Sequence, residues 1–378
     1  MKERIDYMPA DDLERFMTDA FAALGVPRKD AAVCSDVLST ADRLGIDSHG
    51  VNRLKPIYYD RIRAGLQNTV TQIEIVRDTP TTAVVDGHNG MGHVVAKRCM
   101  QMALNKARKN GLGMVVARHS THFGIAGYYA LMATDAGMIG ITGTNARPSI
   151  APTFGVENML GTNPLTFGMP TDEPFPFLLD CATSVTQRGK IELYERAGRK
   201  MTPGWVIDSK GKTQTDAGLA LNGLIACTAA LTPLGGIGEE TAGYKGYGYS
   251  TVVEILSSAL QNGNYMKALS GKKNGRNVPI ELGHFFIAIN VRFFTGDAAF
   301  RKITGSILRA LRASRKAPGK KRIYTAGEKE YLTLMARKKT GIPLPESVQA
   351  DLLAIRNELG LTRYHFPFER RGRNGKRG

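Results

Sequence analysis

Leu13, Phe16, Met17, Ala20, Phe21 and Leu24 recur at helical spacing behind Asp11 and Asp12, and Gly25 and Pro27 stop the run. That pattern predicts a first helix. A second is expected from about Arg28 to Leu44 with Val33, Val37, Ala41 and Leu44 inward, and a third from just after Ser48 to about Arg63, before Gly65. Alternation replaces helical spacing at Gln72 to Val76, a turn follows at Asp78-Thr79-Pro80, and Thr81 to Asp86 reads as a partner strand.

From there helices and short apolar strands alternate. Strands are predicted near Met114–Ala117, Met138–Thr142, Thr166–Met169, Phe177–Asp180 and Phe285–Asn290. Helices are predicted near His93–Asn110, Ile125–Ala136, Val185–Ala197 and Tyr249–Leu260. This is the pattern of an α/β sandwich. Beyond Gly296 the chain reads as helical again, at about Asp297–Arg315, Glu328–Lys339 and Ser347–Leu359. The expected division is a helical unit over 1–70, an α/β unit over 71–296, C-terminal helices over 297–362 packing on the first unit, and a frayed basic tail over 363–378. The longest uncharged stretch, Ala217 to Gly238, is broken by Asn222, Pro233 and several glycines, so it reads as buried loop and turn rather than a membrane span.

Composition sharpens this modestly. The chain has 378 residues, 42% hydrophobic and 22% charged, which suits a folded chain of two or three domains. Met1 to Arg15 is crowded with charge, unlike a secretory leader, and Cys34, Cys99, Cys181 and Cys227 stand too far apart for a close-spaced zinc pattern. A cytoplasmic protein without a metal is expected. Lys and Arg number 51 against 34 Asp and Glu, a formal charge of +17, which invites a nucleic-acid reading. The excess is local: 13 basic and 2 acidic residues lie within 301–340, and 6 and 1 within 363–378. Arg301, Lys302, Arg309, Arg312, Arg315 and Lys316 interleave with Ile303, Ile307, Leu308 and Leu311 as on an amphipathic helix, with no zinc finger or aromatic platform beside them. A solvated helix face, or a field attracting anionic ligands, explains the charge better than nucleic acid.

Standard motifs are absent. Gly111-Leu112-Gly113 lacks the third glycine of a dinucleotide fingerprint and precedes its strand, and Gly238 to Lys245 has Gly246 where a phosphate loop requires Ser or Thr. No serine-hydrolase elbow or zinc-protease motif occurs. The strongest cluster is Gly45-Ile46-Asp47-Ser48-His49-Gly50-Val51-Asn52-Arg53-Leu54. If Asp47 or Ser48 caps the third helix, His49 sits in its first turn and Arg53 on the same face. Oxidation of a 2-hydroxy acid needs a base near neutrality and a cation for the carboxylate, and His plus a forked Arg supply both. A helix N-terminus would keep His49 neutral. The same residues would also serve as a plain capping segment.

Together with His119-Ser120-Thr121-His122-Phe123-Gly124, Gly161-Thr162-Asn163-Pro164, Asp180-Cys181-Ala182-Thr183-Ser184, Tyr244-Lys245-Gly246-Tyr247-Gly248 and Gly327-Glu328, that cluster resembles the type-2 malate/L-lactate dehydrogenase family, in order and over about Leu13 to Phe366. The family also holds sulfolactate and ureidoglycolate dehydrogenases and cyclic-imine carboxylate reductases. The resemblance implies a non-Rossmann fold, which agrees with the missing fingerprint. The expected fold class is therefore α/β, a three-layer sandwich with a mixed sheet plus a helical domain built from both termini.

The resemblance further implies NAD or NADP as cofactor, NAD slightly preferred, a small 2-hydroxy or 2-oxo acid substrate with malate first, and a homodimer. It assigns proton transfer to His49, or alternatively His122, with His49 preferred. Ser48, Arg53, Thr162 and Asn163 become substrate residues. Asn145, Leu178, Leu179, Asp180, Cys181, Ala182, Thr183, Ser184, Tyr244, Lys245, Gly327, Glu328 and Lys329 become cofactor residues. Physically, Thr183, Ser184 and the N-terminus of the helix after them would present hydroxyls and N–H groups to a phosphate, and Glu328 would accept from a ribose hydroxyl or merely complement a helix dipole. Arg199 and Lys200 would meet a 2′-phosphate or be surface charge. His88 and His93 read as structural and His284 as a possible pocket residue. Two departures from the family pattern stand out: Ile237 to Gly243 delays Tyr244-Lys245, and Thr325-Ala326 replaces a frequent proline.

Overall fold

A computed structural model describes residues 4–369. After β1 (Ile5–Met8), the first periodic runs form α1 (Ala10–Ala23) and α2 (Arg28–Arg43), each preceded directly by a proline whose missing N–H has no intrahelical partner to lose. α1 buries Leu13, Phe16, Met17, Ala20 and Phe21, at about 1.5–3 kcal/mol for each large side chain removed from water. α2 has two buried faces: Cys34 and Leu38 join the α1 core, whereas Val37 and Ala41 join the core over the sheet.

The expected third helix is irregular instead. Two 3-10 turns (Asp47–His49 and Val51–Arg53) and a π turn (Leu54–Tyr59) precede a single α turn, α3 (Asp60–Arg63). Gly50 causes the break. Its ψ is −141°, and a Cβ there would overlap the Asp42 carboxylate, which accepts the Val51 N–H at 2.9 Å.

The middle of the chain runs β2 (Glu74–Asp78), β3 (Thr82–Asp86), α4 (Gly92–Asn110), β4 (Leu112–Ser120), α5 (Ala126–Asp135), β5 (Met138–Thr144), β6 (Leu165–Met169) and β7 (Phe177–Cys181). It continues through α6 (Arg188–Arg196), β8 (Val206–Asp208), α7 (Ala217–Ala226), β9 (Ala229–Leu231), α8 (Gly243–Leu256), the short β10 (Lys272–Lys273) and β11 (Arg276–Asn277), and β12 (Leu282–Asn290). Seven strands form one sheet in the order β2-β3-β4-β12-β5-β6-β7, mixed because only β3 and β4, joined through α4, are parallel. β12 arrives last and takes the centre, with Phe285, Phe286 and Ala288 buried. α4 and α5 cover one face through Ala96, Met100, Val115, Tyr129 and Phe286; Val253 of α8 meets Val116 and Phe285 on the other. The architecture is thus the three-layer, non-Rossmann α/β sandwich that was expected.

Three expectations need correction. Ala217 to Gly238 contains helix α7 and strand β9 rather than loop alone, and Leu219 and Ile225 of α7 are exposed. The last elements are α9 (Asp297–Ala313), α10 (Glu328–Thr340), β13 (Ile342–Pro345) and α11 (Glu346–Glu358), and they do not all join the N-terminal unit. β13 pairs antiparallel with β1, and Val348, Leu352 and Ile355 pack on the α1 core. α9 instead pairs Arg309 with Asp172 and Glu173, and Arg312 with Glu173, beyond β6. Its Ile303, Ile307 and Leu311 face outward, each more than half exposed. The tail is docked as far as Glu369: Phe366 and Phe368 are buried in the α1 core, and Arg356 holds Glu369 at 2.7 Å. Residues 370–378 of that expected tail lie outside the described residues.

Candidate active site

Strand register gathers the expected site loops at one end of the sheet. Ser120 closes β4 opposite Leu282, His284 lies opposite Thr144, and Leu165 opposes both Gly143 and Cys181. The segments 121–124, 145–147, 161–164 and 182–184 therefore emerge side by side. The irregular segment 47–63 joins them, because the Tyr58 hydroxyl lies 2.5 Å from His122 Nδ1 and the His49 and His122 rings stack at 5.8 Å and 17°.

The hydrogen bonds fix one tautomer and leave the other adjustable. Gly124 N–H donates to His122 Nδ1 at 3.3 Å, so that nitrogen carries its lone pair and the proton of neutral His122 sits on Nε2. His49 Nδ1 lies 2.8 Å from Ser48 Oγ, a hydroxyl that gives or takes a proton. Burial foremost, then the Arg53 guanidinium, pushes the His49 pKa down to about 4. Burial, with His49, His93, Arg53 and Arg61 behind it, holds His122 well below the usual histidine range. Both rings are neutral near pH 7. The helix-dipole explanation for His49 is replaced, since the backbone after it turns at Gly50, and His49 and Arg53 share no helical face.

Arg53 Nε donates to the Ser48 carbonyl at 2.5 Å, and no carboxylate among the described residues pairs with it. Behind this loop, buried Asp42 holds Val51, and burial pushes its pKa up to about 8. Arg337 of α10 ties Asp47 and the Asp42 carbonyl from the far side. Of the other histidines, His88 meets Glu74 at 2.9 Å. His93 is buried against Tyr58, with ring centroids 4.7 Å apart. His284 stacks on Phe123 at 4.5 Å, its Nδ1 2.8 Å from Thr144 Oγ1.

The remaining predicted residues fall into open and committed groups. Asn145 is buried, donating to Asn264 O and accepting from Gly283 N–H. Asn163 donates to Ser250 O at 3.1 Å and to Glu254 at 2.7 Å. The Thr183 hydroxyl donates to Thr162 O and Asn163 O, and the Ser184 hydroxyl to Thr186 O. Asp180 accepts from Gly127 N–H and Thr166 Oγ1, and burial raises its pKa. Glu328, buried at the start of α10, is engaged by Arg322 and by the Thr325 N–H of the preceding loop. With these partners in place, its geometry favours the alternative that it complements the helix dipole. Helix α6 opens only at Arg188, so it does not present its N-terminus beside Thr183 and Ser184.

What stays open is different. Leu179 and Cys181 are at least partly exposed, Leu178 and Ala182 are buried, and the Thr162 hydroxyl has no partner among the described residues. Tyr244 and Lys245 lie exposed in the first turn of α8, which begins at Gly243 rather than near Tyr249 as expected. The turn sits against Leu234, where a Cβ on Gly246 would overlap backbone, and Leu234 N–H in turn bonds Thr183 O. The 178–184 and 244–245 segments are therefore neighbours. Gly327 abuts Leu178 backbone at the other end of β7, beside exposed Lys329.

A family model described as malate/L-lactate dehydrogenase matches residues 8–353. The chain belongs to that family. It is 44% identical to malate dehydrogenase of Pyrococcus abyssi, covering 94% of this chain and 95% of that one. It is 37% identical to L-sulfolactate dehydrogenase of Methanocaldococcus jannaschii, covering 92% and 96%. The crystal structure of malate dehydrogenase from Entamoeba histolytica superposes with a TM-score of 0.92 at 43% identity, covering 96% of this chain and 100% of that one. The protein is accordingly an oxidoreductase of the dehydrogenase type, and its family uses nicotinamide cofactors. The residues suit such a group. Lys245 has no carboxylate partner among the described residues and stands in the first turn of α8, at the positive end of the helix dipole, which favours phosphate.

Membership also disfavours the nucleic-acid alternative, and part of the basic charge behind it is spent internally. Arg309, Arg312, Arg322 and Arg337 each pair with a carboxylate. Among the described residues, no helix is long and apolar enough to cross a membrane. Sequence reasoning missed Tyr58 and Arg61. Their only signal was a Tyr and an Arg three residues apart in the run after Arg53, and nothing in that spacing points to a histidine 64 residues away.

Proposed function

We propose that the protein interconverts malate and oxaloacetate, with His49 as the proton-transferring group and Arg53 holding the carboxylate beside the reacting carbon. The carrying observation is the unequal pair of histidines. His122, with Nδ1 filled by Gly124 N–H, offers an Nε2–H that donates to the substrate oxygen. His49 can turn its Nδ1 proton toward Ser48 and leave Nε2 free to accept the hydroxyl proton during oxidation. In the reverse direction it returns that proton to the oxyanion. A carboxylate seated on Arg53 offsets the guanidinium field and lifts the His49 pKa toward neutrality, where a general base works best. Ser48 positions His49; Thr162 offers a hydroxyl to the same space. The nicotinamide ring, when bound, accepts or supplies the hydride.

The backbone of Leu178 to Ser184, with Tyr244, Lys245 and Lys329, holds the cofactor; Asn145, Asn163, Thr183, Ser184 and Glu328 act by shaping that backbone. NAD is slightly preferred over NADP: of the two residues that could meet a 2′-phosphate, Arg199 lies over the Tyr194 ring, 5.0 Å from its centroid, and Lys200 is an exposed surface charge. The test is His49→Ala assayed for oxaloacetate reduction with NADH and with NADPH. Loss of a general acid–base group lowers kcat/KM by roughly 10²- to 10⁴-fold. Turnover like the wild type would overturn the assignment to His49, and a wild type faster with NADPH would overturn the cofactor preference.

The working unit proposed is a homodimer. α8 buries Ser250 and Glu254 beside Val253 and leaves Tyr249, Val252 and Ile255 exposed, and α9 likewise turns Ile303, Ile307 and Leu311 outward. Apolar residues grouped on an exposed helix face are commonly covered by a second copy. Light scattering should give about twice the chain mass of 41.1 kDa; a monomeric mass at micromolar concentration would refute it.

A further inference from the structure

Two arginines whose fields reach His122, Arg53 and Arg61, have no carboxylate partner among the described residues, and neither has Arg147, whose field reaches Arg61. An exposed arginine in that condition is ordinary, but Arg61 is not fully exposed. It lies three residues after Tyr58, on the same side of the turn that sends the Tyr58 hydroxyl to His122. Its pKa is lowered chiefly by burial, and Arg147, in the loop that follows β5, lowers it further. Fields from Arg53 and Arg61 both reach the His122 ring. One cation thus lies within the histidine loop and a second lies beyond Tyr58, with Arg147 beside it.

We propose that Arg61, assisted by Arg147, is a specificity-determining residue that binds a second anionic group at the far end of the substrate, so that the site selects dianionic 2-oxo acids over monoanionic ones. The proposal rests on the reading of the site given above. A half-buried guanidinium without a counter-charge is costly, and a substrate carrying a terminal carboxylate or sulfonate supplies the missing charge and a two-pronged set of acceptors. A monocarboxylate satisfies Arg53 and leaves Arg61 uncompensated. The same discrimination would be expressed with either anion, since both present planar or tetrahedral oxygens to the fork.

The experiment compares kcat/KM for oxaloacetate and pyruvate in the wild type, Arg61→Met and Arg61→Lys. The oxaloacetate-to-pyruvate ratio should fall roughly 10- to 100-fold in Arg61→Met, the worth of one charge-assisted contact, mainly through KM for oxaloacetate, and recover in part in Arg61→Lys. A parallel fall for both substrates with the ratio unmoved overturns the proposal while leaving the dehydrogenase reading intact, because it would mark Arg61 as a support for Tyr58 only. If the wild type reduces neither acid, the malate reading fails. Calorimetric titration of malate and lactate then decides Arg61 alone: a preference for malate abolished in Arg61→Met upholds it, and no preference, or one that survives the substitution, overturns it.

Discussion

The side chains around His49 and those around Asn163 meet at one end of the sheet but are built oppositely. Around His49 the backbone is a string of short irregular turns, the cations lack carboxylate partners, and the ring nitrogens not held by Ser48 or Gly124 have room to exchange protons. Around Asn163 most polar groups are spent inside the protein: the amide N–H groups on Ser250 and Glu254, Glu254 also on the Met266 N–H, and Thr183 on the 162–163 carbonyls. Proton transfer and carboxylate binding need donors, acceptors and charges left free, and a surface that must fit a large flat cofactor needs a fixed backbone. A polar residue expected at the site can thus serve it either by touching the ligand or by holding the chain that does.

Paired substitutions would break or confirm that division. Arg53→Met should cost activity, raising KM for oxaloacetate by roughly 10²-fold while leaving thermal stability close to the wild type, because it removes a cation without a carboxylate partner. Asn163→Ala should do the reverse. It strands buried Glu254 without its side-chain donor, so unfolding free energy should drop by roughly 1–3 kcal/mol while KM for oxaloacetate moves much less. Denaturant titration and steady-state kinetics on both variants check this. If Asn163→Ala loses oxaloacetate affinity as steeply as Arg53→Met without losing stability, Asn163 touches substrate and the comparison collapses.

Much of this was legible in the sequence, though unevenly. The α1 periodicity, the strand at 285–290 and the order of the glycine-flanked motifs are local properties, and each survives in the structure. The central placement of β12 is not local: a strand near residue 285 can pair anywhere, and only the assembled sheet puts it between β4 and β5. The segment 47–63 carries helical spacing, yet a single close approach between Gly50 and the Asp42 carboxylate diverts it. α9 carries amphipathic spacing whose apolar stripe points outward, because spacing says which residues share a face but not what covers it. Hydroxyl and amide side chains at 145, 163, 183 and 184 look identical in sequence whether they face a ligand or their own backbone.

The smaller test concerns pH and uses histidines that the chemistry does not. His93 and His284 are wholly buried, and burial pushes each pKa down to about 3 against an ordinary value near 6.5. The unfolded chain therefore binds protons between about pH 6.5 and 3 that the folded chain refuses. Their contribution is present in full above pH 6.5 and is lost as the pH falls through that window toward the folded values. Buried Asp42 has the opposite sign. Its folded pKa of about 8 lies above the unfolded value of 3.8, so its contribution is present below 3.8 and is lost as the pH rises through 8. His49 and His122, whose folded values burial also lowers, act in the same direction, so four histidines outweigh one carboxyl and stability should climb steeply from pH 4 to about 6. Above pH 6.5 Asp42 alone still acts, against them, and stability should fall by about one proton's worth per pH unit toward pH 8. His93 separates the causes: neither ring nitrogen has a hydrogen-bond partner among the described residues, and its neighbours are Tyr58 and Phe21. His93→Phe keeps the volume and removes the proton, so the acid slope of the urea midpoint should flatten by about one proton's worth, roughly 1.4 kcal/mol for each pH unit crossed. An unchanged slope would mean that His93 takes up its proton in the folded state, and the enclosed ring behind Tyr58 would then have to be reckoned with the titrating groups of the site rather than with its frame.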